Sequence, residues 1–188
     1  MMQSTYSIVF QPPPEIVEEV KILKERLADK IGWYNSKNSL AHITIGEFLA
    51  SVEQLELIKK QLTRIADSVM EVPITLDHYG SYPNGAFFIA PNTDSKIRLV
   101  PIMKRFQKET RFTITHKSVA PHVSIARKLT AEKMIIANEL FTTVAMHFLC
   151  DAVILRRFNT DAKQFEAVAS FPFNGKAEPI QTSLFLHF

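Results

Sequence analysis

The sequence predicts an α+β fold of two duplicated half-domains, with two antiparallel sheets facing a central cleft and helices on the outside. Three observations predict it. Short β-branched and aromatic runs alternate with longer stretches of helical periodicity along the chain. The order helix, strand bearing H-x-[ST], helix occurs twice, and the two histidines of that pattern stand 122 − 42 = 80 residues apart. That period is longer than those of short solenoid repeats. The length of 188 residues suits one domain of interleaved lobes over residues 1–188.

Tyr6 to Phe10 is β-branched and aromatic and stops at Pro12-Pro13-Pro14, which reads as a strand ended by a proline break. Glu15 to Ile31 carries Ile16, Val20, Leu23, Leu27 and Ile31 at helical spacing. Leu40 to Phe48 alternates around His42 and Thr44 and reads as a strand. Ser51 then opens a helix with Gln54 placed for a capping box. Val72 to Leu76 and Ala86 to Ala90 read as strands, with Asn84-Gly85 as the turn before the second. Ser95 to Thr110 reads as a helix that starts at or kinks near Pro101. Val119 to Ala126 is a strand, Thr130 to Thr143 a helix, and Ala152 to Leu155 and Phe165 to Phe171 the last strands. The pattern assigns no element to Pro172 to Phe188.

Composition narrows the classes. The chain is 46% hydrophobic and 22% charged, enough apolar material for a core. A net charge of +3 permits an anionic ligand without requiring one. One cysteine excludes an intramolecular disulfide framework and a multi-thiolate zinc site. Cys150 lies in an apolar run and reads as a small buried hydrophobe. The N-terminus has neither a basic segment nor a long apolar one, and no apolar run approaches the ~18 residues of a membrane span. The expectation is a cytoplasmic monomer that takes no part in a membrane.

The two histidine strands are Leu40-Ala-His42-Ile-Thr44-Ile-Gly46 and Ala120-Pro-His122-Val-Ser124-Ile-Ala126. Side chains alternate along a strand, so each histidine shares a face with a hydroxyl ~7 Å away. Ile43, Ile45, Val123 and Ile125 point to the other face. Strict alternation turns Glu47 away from the histidine face, so it is expected to have no role. Histidine gives and takes protons near neutrality. Two of them astride a phosphodiester can divide the proton transfers, while Thr44 and Ser124 donate to the non-bridging oxygens. The bare expression is weakly specific, since His116-Lys-Ser118 also fits it. On these residues alone the pair reads equally as an acid–base site or as hydrogen-bonded core histidines.

His42-Ile-Thr44-Ile and Pro121-His122-Val-Ser124-Ile-Ala-Arg127 resemble the two motifs of the two-histidine (2H) phosphoesterase superfamily. The resemblance is to its 2′-5′ RNA ligase and RNA cyclic phosphodiesterase branch. The opening Tyr6-Ser-Ile-Val-Phe10-Gln-Pro-Pro is similar to that branch's first strand, and the likeness spans about residues 5 to 171. It implies a bilobal α+β fold and hydrolysis of 2′,3′-cyclic phosphates or 2′-5′ linkages without a metal or other cofactor. It implies an RNA end or cyclic nucleotide as substrate, His42 and His122 as the acid–base pair, and Thr44 and Ser124 as phosphate binders. Ser124 stands where threonine is commoner, and the hydroxyl survives. Arg127 follows the second motif as the family often shows and is a candidate phosphate binder. Alternation turns it from the cleft, but strand ends twist and its side chain is long.

The remaining histidines, His78, His116, His147 and His187, read as ordinary surface or core residues. Phe10, Tyr82, Phe87 and Phe88 are candidates to stack a base, against the commoner reading as core. Lys104, Arg105, Lys108 and Arg111 form a basic helix face, read as solvated. The alternative from a different class is a non-catalytic RNA- or nucleotide-binding module with the same cleft.

Overall fold

The run Pro12-Pro13-Pro14 lies where the first strand gives way to the first helix. In the computed structural model, which describes residues 3–177, β1 (Ser4–Phe10) stops before them and α1 (Pro14–Ile31) begins at Pro14. Proline suits the first helical turn, where its missing N–H would be unsatisfied anyway. Helix α1 buries Ile16, Val20 and Leu27, each worth ~1.5–3 kcal/mol when taken fully out of water. Lys24 lies on the same face and is only 1% exposed. Its Nζ donates to Ser36 O at 3.0 Å, Ser39 O at 2.6 Å and Ser39 Oγ at 3.0 Å. The buried ammonium thereby organises the turn that leads into the first histidine strand.

That strand is β2 (Ile43–Ala50), followed by α2 (Val52–Asp67). Ser51 and Gln54 form the expected capping box, with Ser51 N donating to Gln54 Oε1 at 2.9 Å. The hairpin β3 (Val72–Tyr82) and β4 (Ala86–Pro91) turns at Asn84-Gly85, where Gly85 has φ +81°. Helix α3 (Thr93–Glu109) is capped by Asn92, whose Oδ1 accepts from Ser95 N at 2.8 Å. Then come β5 (His116–Lys117), β6 (Val123–Ala126), α4 (Ala131–Leu140), β7 (Met146–Cys150), β8 (Ala152–Asn159) and β9 (Gln164–Pro172).

Several elements differ from the sequence reading. Helix α3 starts at Thr93 and not at Pro101, which it carries inside, exposed, where water can serve the carbonyl its ring leaves free. The run Val119 to Ala126 yields only β6, since Pro121 cannot donate to a ladder. Strand β7 lies outside the sequence reading, although Met146, Phe148 and Cys150 alternate buried with exposed His147 and Leu149. Helix α4 ends at Leu140, ahead of the β-branched pair Thr142-Thr143. The unassigned tail is coil from Phe173 to Lys176, tied back by Gly175 N to Val69 O at 2.9 Å. Residues 178–188, with His187, lie outside the described residues.

The expected α+β arrangement with antiparallel strands is present. The strands form one curled sheet in the order β7-β3-β4-β6-β2-β1-β8-β9, with β5 also paired to β2. Four strands belong to each half, and the halves meet where β6 pairs with β2. The two expected sheets are therefore continuous, and the histidine strands are their seam. Ile8, Phe10, Ile43, Ile45, Val123 and Ile125 are fully buried beneath it. Among the described residues no helix is long and apolar enough to cross a membrane.

Gly85 tests the hairpin. A Cβ there would lie 2.5 Å from Leu129 O, and a positive φ disfavours any L side chain. Gly85→Ala is expected to destabilise the fold by about 1–3 kcal/mol, measured by chemical denaturation.

Candidate active site

The seam is held by one antiparallel pair, Ile43 with Val123. Antiparallel register about that pair sets Thr44 opposite His122 and His42 opposite Ser124. Directly opposed side chains share a face, and diagonal neighbours lie roughly 7–8 Å apart. Both imidazoles and both hydroxyls thus occupy a single patch on the cleft face. The apolar partners Ile43 and Val123 point the other way and are 0% exposed.

Beyond the hydroxyls, both motif strands bulge at the same place. On β2, Thr44 pairs with Val9 but Gly46 pairs with Ile8, so Ile45 is the extra residue. On β6, Ser124 pairs with Phe88 but Ala126 pairs with Phe87, so Ile125 is the extra residue. A bulge resets the alternation by one. Glu47, which pairs with Ser7, therefore returns to the histidine face, contrary to the reading from strict alternation. Arg127, at the equivalent position just past β6, follows the same bulge, and its charge acts on both histidines. The residue at position +5 from each histidine is thus a cleft residue, acidic in one half and basic in the other.

Each histidine is anchored in the same way. His42 Nδ1 lies 2.6 Å from Leu40 O, and His122 Nδ1 lies 2.8 Å from Ala120 O. A carbonyl only accepts, so Nδ1 carries the proton in both rings. That leaves both Nε2 atoms for a ligand. His122 also packs on aromatic rings, with Phe88 at 4.9 Å and Tyr82 edge-on at 5.9 Å between centroids. The Phe88 ring occupies the space over Gly80, where a Cβ would approach it to 2.6 Å.

The electrostatics differ between the two rings. Burial pushes His42 down to about 3, helped by the positive charges of Arg156, Lys24 and Arg127 and opposed by the bond to Leu40. His122 is lowered chiefly by burial, with Arg127 adding and the bond to Ala120 opposing. Arg127 is exposed and acts on both rings from the rim, and its N–H donates to Asn35 O at 3.0 Å. Arg156 on β8 is a cleft residue that the sequence reading missed. It pairs with Ser7 across the β1–β8 ladder, and its Nη2 donates to Ser7 Oγ at 3.1 Å. The Arg156–Arg157 dipeptide was its only sequence signal, and that resembles any surface basic pair.

Of the candidate stacking rings, Phe10 and Phe87 are 0% exposed and belong to the core. Tyr82 is 39% exposed beside His122 and is open to a ligand. His78, His116 and His147 lie on other strands and are exposed. Cys150 is buried, and its thiol is pushed up to about 12. Arg105 on the basic face of α3 pairs with Glu109 at 2.8 Å. A surface groove of ≈ 730 Å³ lies among Leu57, Lys60, Arg64 and Arg111 and includes neither histidine. Among the described residues no three His, Cys, Asp or Glu side chains gather as metal ligands.

Residues 12–162 match the family model described as the 2′-5′ RNA ligase superfamily. The chain belongs to this superfamily. No curated protein matches its sequence. Among solved structures, the fold is similar to that of Escherichia coli LigT, 12% identical with a TM-score of 0.67 over 92% of this chain and 99% of that one. The protein TT0787 of Thermus thermophilus is 14% identical, with a TM-score of 0.64 over 92% and 100%. Usb1 of Kluyveromyces marxianus, solved with uridine monophosphate, is 12% identical, with a TM-score of 0.55 over 89% and 97%. LigT has also been solved with 3′-AMP. Family and fold together point to a phosphoesterase-type enzyme.

The depressed His42 predicts acid sensitivity. Below the ordinary histidine pKa of 6.5 the unfolded chain takes up a proton that the folded chain refuses until about 3. Stability from this group is therefore complete above 6.5 and is lost as pH falls toward 3. Between pH 7 and pH 4 the melting temperature of His42→Gln should fall less than that of the wild type in thermal unfolding. An equal fall would show that His42 does not carry this term.

Proposed function

We propose that the chain is a metal-independent phosphodiesterase that hydrolyses 2′,3′-cyclic phosphate or 2′-5′ phosphodiester bonds of RNA ends or nucleotides. One observation carries the reading. The Ile43–Val123 register gathers two histidines and two hydroxyls on one face, with both Nδ1 atoms held by backbone carbonyls. Nucleotides bound to LigT and Usb1 support the substrate class.

The roles follow from the environments. His42, ringed by three cations, holds its neutral form and is the base. Its Nε2 takes a proton from water as the water oxygen bonds to phosphorus. His122 has one opposing cation and keeps a proton more readily, so it is the acid. Its Nε2–H protonates the ribose oxygen as the P–O bond breaks, leaving a phosphomonoester. Thr44 and Ser124 donate to the non-bridging oxygens, and Arg127 neutralises their charge from the rim. Two side chains then supply both proton transfers.

Hydrolysis of 2′,3′-cyclic nucleotides and cyclic-phosphate-ended RNA in excess EDTA tests this. Turnover should survive EDTA and fall by at least ~100-fold in His42→Ala and in His122→Ala. Folded wild type with no turnover on the panel would favour the binding-module reading. The pH profile is a second check. His42 is neutral at every pH above about 3, whereas His122 must be protonated and its pKa is lowered from 6.5. kcat/KM should therefore rise as pH falls from 8 to 5. A bell with its acid limb near pH 6 would contradict the assignment of His42 as base.

A further inference from the structure

Arg156 is a buried cation without a matching anion. It is 5% exposed, and among the described residues no carboxylate lies within ion-pair distance of it. Its Nη2 bonds Ser7 Oγ, and the guanidinium carbon sits 5.0 Å over the Phe165 ring. Nε is buried with no partner. Nη1 also has no partner yet is not sealed from solvent, so the small exposed part of the side chain includes this edge. Glu47 shares the cleft row through Ser7 and favours the charge from beyond contact distance. Burying an uncompensated guanidinium is costly, and a fold that keeps one this way is short of a negative partner. A planar fork held by a hydroxyl and a ring is also preorganised for a phosphate.

Position selects the partner. Strand β8 is two strands from β2, and the bond to Ser7 draws the guanidinium back over β1. The charge therefore stands over β1 in the row of Ser7 and Glu47, two residues along β1 from Val9, the partner of Thr44. It is thus offset along the strands from the hydroxyls and faces a different part of a bound nucleotide.

We propose that Arg156 binds a second phosphate of the substrate, the one on the 5′ side of the nucleotide whose 3′ end lies at the histidines. The inference rests on the reading of the seam as a phosphate site. It makes the terminus of an oligonucleotide a better ligand than a nucleoside carrying a single phosphate.

Calorimetric titration with adenosine 3′-monophosphate and adenosine 3′,5′-bisphosphate tests it in the full chain. The wild type should bind the bisphosphate at least ~10-fold more tightly, as expected for one added charge-assisted contact. Arg156→Gln should bring the ratio close to one by weakening the bisphosphate more than the monophosphate, and Arg156→Lys should fall between. A wild-type ratio near one, a ratio unchanged in Arg156→Gln, equal weakening of both ligands, or no binding of the bisphosphate would each overturn the proposal. If Arg156→Gln fails to fold, the wild-type ratio and Arg156→Lys still decide. The two readings fail separately. An intact ratio without histidine-dependent hydrolysis removes the catalytic reading alone. Histidine-dependent hydrolysis with a ratio near one removes this one alone.

Discussion

One backbone pairing, Ile43 against Val123, joins the two halves of the sheet and sets the register of everything above it. Both side chains are wholly buried, so the core holds the seam from below. Side-chain direction has a period of two along a strand. A slip of one residue would send Ile43 or Val123 into the cleft and a histidine into the core. The apolar cost of that slip is what keeps the two imidazoles on one face. The helices contribute from the far side, α1 against β6 and α3 against β2, so both seam strands rest on packed helices.

The charge pattern of the cleft follows from the paired bulges. Each displaces one isoleucine, Ile45 or Ile125, and brings the next charged residue onto the active face. The halves repeat the device with opposite charge, Glu47 in one and Arg127 in the other. Glu47 works on Arg156, and Arg127 works on both histidines. An approximately duplicated scaffold thereby yields two unlike histidines. Arg156 and Lys24 push one of them further from protonation, and the other rests against Phe88 and Tyr82.

Two cations are buried near the cleft, and their surroundings differ. Lys24 meets three oxygens of the Ser36–Ser39 turn, so its charge is spent on building the approach to β2. Arg156 meets one hydroxyl and a ring face and retains donors without partners. A satisfied buried charge is part of the scaffold, while an unsatisfied one belongs with whatever enters the cleft.

Much of this was legible along the chain. Periodicity locates all four helices of the described residues, and apolar alternation around His42 and His122 shows which face each imidazole takes. Those signals are local, because helical and strand periods are set within a few residues. Ser51 with Gln54, and Asn84 with Gly85, were legible for the same reason. The bulges were not, since the extra residue is defined only against the partner strand. Hence local alternation turns Glu47 the wrong way and does not place Arg127. Nor was Arg156, which lies 156 − 42 = 114 residues from His42 and reaches the cleft only through the β2–β1–β8 ladder. The sequence by itself determined the two histidine strands, their hydroxyls and the apolar faces beneath them. Only the tertiary structure decided which charged residues surround them, because that depends on inter-strand register and burial, and neither is a local property of the chain.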